Sequence, residues 1–89
     1  MPKALVLIDT DAFSAKEVFQ ELKACDEVKE CHMVTGDYDI AAEVEGETFN
    51  HLVNIINSRI ERMFQVQETL SMIIVESKKN EQENAALVV

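Results

Sequence analysis

Gly36 and Asp37 separate two short segments that read as strands, 28–35 (VKECHMVT) and 38–45 (YDIAAEVE). A connection this short leaves no room for a crossover, so the two can pair only as an antiparallel hairpin. In the second segment Tyr38, Ile40, Ala42 and Val44 fall on one side, and Asp39, Ala41, Glu43 and Glu45 on the other. That is the period-two alternation of a strand with one buried face. Gly46 ends it, and the rest of the chain must be arranged around this hairpin.

Upstream, Ala4 to Ile8 (ALVLI) is an unbroken aliphatic run, the mark of a strand buried on both faces. Asp9-Thr10-Asp11 ends it as a turn, since two carboxylates alone make a weak cation site. Ser14 then stands as a helix N-cap with Glu17 three residues on, and Phe13 is placed to staple against Val18. Ala15, Val18, Phe19, Leu22 and Cys25 recur at helical spacing, a single core-facing stripe. Downstream of the hairpin, Phe49, Leu52, Val53, Ile56, Ile60, Met63 and Phe64 predict a second helix over 48–64. Ile55 lies off that stripe, either as a lone exposed apolar residue or as a contact between copies. Residues 65–76 return to strand alternation, with Val66, Leu70, Met72 and Ile74 on one side and Thr69, Ser71, Ile73 and Val75 on the other.

The order strand–helix–strand–strand–helix–strand predicts an α+β, ferredoxin-like βαββαβ domain over residues 1–77. Right-handed crossovers place both helices on one face of a four-stranded antiparallel sheet. Residues 78–89 are read as a polar, mobile tail, with Leu87-Val88-Val89 either frayed or adding a strand to a neighbour. The uncovered sheet face is expected to carry Thr69, Ser71, Ile73 and Val75, alternate residues of the first strand, Cys31 and Met33. That surface is too apolar to stay wet, so a second copy packed sheet to sheet is expected to cover it.

Eighty-nine residues make one small domain, a size that often leans on oligomerisation. Seventeen acidic against eight scattered basic residues give a net charge of −9. That balance opposes direct binding to a phosphate backbone. The longest apolar run has five residues, too short for a membrane span or a signal peptide, so a cytoplasmic chain is expected, with neither membrane nor nucleic acid as partner. Cys25 and Cys31 are separated by five residues, which is not zinc-site spacing, and both read as small buried hydrophobes. No metal and no cofactor is expected, and His51 reads as solvent-facing.

Val34-Thr35-Gly36-Asp37-Tyr38-Asp39 resembles the V-T-G-x-Y-D signature of the effector-binding domain of the leucine-responsive/asparagine-operon regulators (Lrp/AsnC), also called the regulation-of-amino-acid-metabolism (RAM) domain. The resemblance runs over residues 3–76 and includes the order of strands and helices. It implies a dimeric α/β barrel with facing sheets, and further association into tetramers, octamers or larger rings. It implies an amino acid or related small effector bound at clefts between dimers. By position, the implied ligand-binding residues are Gly36, Asp37, Tyr38 and Asp39 of the loop, with Thr69 and Ser71 of the last strand. Family regulators carry an N-terminal helix-turn-helix domain, whereas this chain begins at its first strand. It therefore resembles the stand-alone form, which would modulate a DNA-binding paralogue through mixed assemblies without reading DNA itself.

Those residues suit the chemistry. Gly36 lets backbone N–H groups approach a carboxylate, while Asp37 or Asp39 can accept from an ammonium. The hydroxyls of Thr69 and Ser71, two residues apart, point the same way. The same loop is also a good turn in its own right. No catalysis is expected. The rival is a small dimeric α/β-barrel enzyme, monooxygenase- or isomerase-like, which would need an enclosed pocket between sheet and helices with His32 or Tyr38 pointing inward.

Overall fold

A computed structural model describes residues 1–78; most of the tail segment 78–89, including Leu87-Val88-Val89, lies outside the described residues. Strand β1 spans Lys3–Thr10, helix α1 Ala15–Lys23, β2 Val28–Met33, β3 Ile40–Glu45, helix α2 Phe49–Ile55 and β4 Val66–Ile74. The strands form one antiparallel sheet in the order β2-β3-β1-β4. This is the expected ferredoxin-like fold.

Ala4, Val6 and Ile8 of β1 and Ile40, Ala42 and Val44 of β3 are fully buried. They pack with Val18 and Leu22 of α1 and with Leu52, Ile55, Ile56 and Ile60 from α2 and the turn after it. Both helices therefore sit on one face, as the crossovers require. On the other face β1 is not buried within a single chain, since Leu5 keeps 37% of its surface.

Two β-bulges overturn the expected lining of that open face. Between β1 and β4 the register slips after Asp9, with Asp9 opposite Glu68 but Thr10 opposite Val66. Gln67 is the extra residue. Val66 thus turns toward the helices, while Glu68, Leu70, Met72 and Ile74 turn to the open face beside Leu5 and Leu7. Thr69 and Ser71 oppose Ile8 and Val6 on the helix side, and Ile73 opposes Ala4. A second slip at Lys29 does the same in β2. Val28 and Cys31 oppose Val44 and Ala42 on the helix side, Met33 opposes Ile40, and Glu30 and His32 face outward. One inserted residue inverts every later side chain in a strand.

The helices depart from expectation at their ends. Phe13 takes a left-handed φ of 74° and is fully exposed, so no staple onto Val18 forms. The Ser14 side chain makes no cap bond; instead its backbone N–H donates to the Asp11 carbonyl. In α2, the Thr48 hydroxyl accepts from the His51 N–H at 3.0 Å, while His51 Nδ1 accepts from the Glu47 N–H at 2.9 Å. His51 is therefore half-buried within the cap rather than simply solvent-facing. The second helix is shorter than 48–64 and changes pitch, running on as a π-helical turn over Ile56–Ile60. The Glu61 N–H reaches back to the Ile56 carbonyl. Ile55, three residues after Leu52 and ahead of the wider turn, packs with Ile56 and Ile60 in the core and is 4% exposed. Phe49 and Phe64 are left outside. Among the described residues no helix is long and apolar enough to cross a membrane.

Candidate functional site

The hairpin loop is tied down at both ends. The Val34 N–H donates to the Asp39 carbonyl at 2.9 Å, and the Asp39 N–H donates to the Ile8 carbonyl at 2.9 Å. Between them Gly36 adopts φ +124°, a left-handed backbone that other residues rarely take. The space beside it is open, so its backbone is free to meet a ligand.

Asp39 does more than line the loop. Its Oδ2 accepts from the Thr10 N–H at 3.0 Å and from the Thr10 hydroxyl at 3.2 Å, clamping the loop to the end of β1. The Thr10 N–H holds the Asp39 carboxyl below the usual aspartate range, aided by the Thr10 hydroxyl and a hydrogen bond from Asp9. Asp9 moves the other way. Desolvation, the hydrogen bond to Asp39 and repulsion from Asp39 and Glu68 raise it. The two shifts are opposite in sign: the surroundings favour the charged form of Asp39 and disfavour that of Asp9.

Thr69 and Ser71 lie on the far side of β1. The Thr69 hydroxyl donates to Glu61 Oε2 at 3.2 Å, and Ser71 is exposed. Residues 36–39 therefore sit together at the β1–β3 end, with Asp39 beside the open-face residue Asp9. Thr69 and Ser71 project from β4 on the helix side, with the buried Val6 and Ile8 side chains between. Within one chain the six residues do not converge. The groove between α1 and the π-helical turn and two further clefts beside Lys3 are lined by none of the six.

Thr10 and Glu61, which fix Asp39 and Thr69, were not singled out by the sequence pattern. Both act across long or irregular connections that leave no local signal. Gln67 joins them: the bulged residue donates from Nε2 to Asp11 Oδ1 at 2.8 Å.

The open face has two halves. Leu5, Leu7, Leu70, Met72 and Ile74 form an apolar strip over β1 and β4. Leu70 and Met72 expose 44% and 41% of their surface. Over β3 and β2 the face is acidic. Lys3 Nζ lies 3.5 and 3.7 Å from Glu43 and Glu45, and His32 Nε2 lies 3.3 Å from Glu30.

Comparison with known proteins places this geometry. A sequence model of the Lrp/AsnC ligand binding domain matches residues 3–83. No protein with a curated description matches the chain. Among solved structures, FFRP-DM1 is 37% identical with a TM-score of 0.83, over 84% of this chain and 100% of its own. A hypothetical protein of Pyrococcus horikoshii, PHS023, is 36% identical with a TM-score of 0.81, over 86% of this chain and 93% of its own. The feast or famine regulatory protein Rv3291c of M. tuberculosis, complexed with L-methionine, has a TM-score of 0.76 over 92% of this chain and 55% of its own. At 23% identity that last likeness is one of fold.

Proposed function

The chain belongs to the Lrp/AsnC ligand binding domain family, and from that membership we propose that it senses an amino acid or related small effector by changing its state of assembly. The observation that carries this reading is the apolar strip Leu5, Leu7, Leu70, Met72 and Ile74, left bare beside a clamped polar loop. Two copies packed sheet to sheet cover the strip. Where further copies meet, loop 36–39 of one and Thr69 and Ser71 of another can frame the cleft that a single chain lacks. Gly36 then offers backbone N–H groups to the effector's carboxylate, and Asp37 a free carboxylate to its ammonium, while Asp39 positions the loop through Thr10. Bound effector favours the assembly in which both halves meet, by its differential affinity for that state.

The L-methionine held by the M. tuberculosis regulator of the same fold supports the ligand class. The net charge of −9 supports a module that acts on a DNA-binding paralogue rather than on DNA. The enzyme reading finds less support. His32 is 64% exposed on the open face against Glu30, and the space between sheet and helices is filled by the core.

A thermal-shift panel of the twenty amino acids, run beside light scattering, tests the proposal. An effector that raises Tm and changes particle size is expected, and Ser71→Ala is expected to weaken that response without loss of fold. Silence of the whole panel, or a Tm rise with particle size unchanged at every concentration, refutes it.

A further inference from the structure

We propose that the groove between α1 and the π-helical turn is a second small-molecule site, complete within one chain, that takes a zwitterionic aliphatic amino acid. The groove encloses about 320 Å³, the small end of the size range of ligand pockets, which suits an amino acid better than a nucleotide. Its floor is apolar, made by Leu22, Ile60 and Met63, and matches an aliphatic side chain. Its rim carries both charges. Glu21 stands on the α1 wall, and Ser58 and Arg59 stand on the wall opposite.

These rim groups have capacity to spare. Arg59 makes one long pairing, Nη1 to Glu27 Oε1 at 3.9 Å, and among the described residues its guanidinium donates no hydrogen bond. Five N–H donors in a planar fork remain available to a carboxylate. The Ser58 hydroxyl spends its proton on the Asn54 carbonyl at 2.6 Å, so toward the groove its oxygen can only accept. Together with the Glu21 carboxylate it provides acceptors for an ammonium. The Cys25 thiol in the same wall donates to Glu27 Oε1 at 3.2 Å. Burial raises its pKa, so it adds no charge that would compete for either end of the ligand.

The reason for the wider turn fits this use. The π-helical turn keeps Ile56 and Ile60 in the core and sets Ser58 and Arg59 at the rim beside Ile60. Turns of this kind occur frequently at functional sites. The inference does not depend on the assembly proposed above, because both walls come from one copy.

The protein's own methionines separate the two sites. Met63 lines the groove, Met33 closes β2 next to the hairpin loop, and Met72 lies on the open face. The full chain, labelled with ¹³C at the methionine methyls, is titrated with L-leucine and followed by NMR. The Met63 methyl is expected to shift saturably, and not to do so with L-leucinamide or 4-methylpentanoic acid, which each lack one of the two charges. Arg59→Gln is expected to weaken the Met63 response about ten-fold or more, the usual worth of a charge-assisted bond. It should leave Met33 unchanged, and the fold too, since exposed pairs such as Arg59–Glu27 contribute little stability. The proposal is overturned if Met63 does not titrate, if L-leucinamide moves it equally well, or if Arg59→Gln responds like the wild type. A response at Met33 alone overturns the groove and leaves the effector reading standing; a response at Met63 alone supports the groove and counts against the loop.

Discussion

Leu70→Asp tests both the bulge-corrected register and the covered sheet face. Leu70 faces outward opposite Leu7 with 44% of its surface exposed. Fully burying such a side chain is worth about 1.5–3 kcal/mol, so a partner that finishes the burial gains roughly 1 kcal/mol from it. In a two-fold interface the same residue counts twice. The new carboxylate must also be desolvated against apolar surface at several kcal/mol per ion. A loss of at least about 4 kcal/mol follows, roughly a thousand-fold in the dimer constant. Within the single chain the change is on the surface, where substitutions usually move stability by less than about 0.5 kcal/mol. Light scattering and sedimentation across a concentration series should therefore show monomer, with far-UV circular dichroism unchanged. Ile73→Asp is the paired control. Ile73 opposes Ala4 on the helix side yet keeps 37% of its surface and lies outside the core cluster, so this variant should leave both assembly and Tm close to the wild type. The reasoning fails if Leu70→Asp assembles like the wild type, or if Ile73→Asp dissociates while Leu70→Asp does not.

Gly46→Ala would place a Cβ 2.7 Å from the Leu52 backbone nitrogen and 2.8 Å from its Cα; backbone cannot yield, so about 1–3 kcal/mol is expected, a Tm drop of roughly 4–8 °C per kcal/mol. Gly36→Ala meets open space and suffers only from its positive φ, so calorimetry should show the smaller loss there, and the reverse order would refute the packing argument. The carboxyl pair predicts a pH profile in urea unfolding. Asp39, lowered by the fold, stabilises above the ordinary aspartate pKa and loses that share as pH falls through its lower folded value, whereas Asp9, raised, makes stability decline as pH climbs from the ordinary value through its higher folded one. Asp9→Asn should abolish the second limb and raise stability at neutral pH; an unaltered profile would remove Asp9 from the pair. Thr48→Ala takes away the acceptor for the His51 N–H and should lower the unfolding free energy by about 1 kcal/mol, with no loss expected if that cap is incidental.

Period and spacing were legible where the chain is regular. Gly36-Asp37 announced the hairpin, the alternation of Ile40, Ala42 and Val44 announced its buried face, and the stripes through Val18–Leu22 and Leu52–Ile60 announced both helices. What escaped has a common cause. The bulges at Lys29 and Gln67 exist only as a mismatch between a strand and its partner, so neither strand shows them alone. Val66 and Leu70 look equivalent by parity, yet they end on opposite faces. Ser14 and Glu17 spell a capping box, but Phe13 enters with a left-handed backbone and the cap never forms. The loop 34–39 could be found from its own residues. The clamp from Thr10 could not, because Thr10 is 29 residues from Asp39 in the chain.

That clamp changes how the loop can recognise a ligand. Asp39 Oδ2 already accepts two hydrogen bonds from Thr10. An ammonium would compete with them at that oxygen, and leaving Thr10 would cost the loop the side-chain part of its hold on β1, beside the Asp39 N–H bond to the Ile8 carbonyl. Asp37, exposed on the loop, is the carboxylate free for that task. The loop sits at the end of the sheet and the Thr69–Ser71 hydroxyls project from β4 on its helix side, with β1 between them, so within one domain the two do not meet. A site using both needs residues from two copies, and its apparent affinity must then depend on protein concentration, weakening on dilution as the assembly dissociates. The groove beside Arg59 carries no such dependence, because every wall belongs to one chain. Isothermal titrations at two protein concentrations, one on each side of the assembly midpoint, therefore assign a measured affinity to the seam or to the groove.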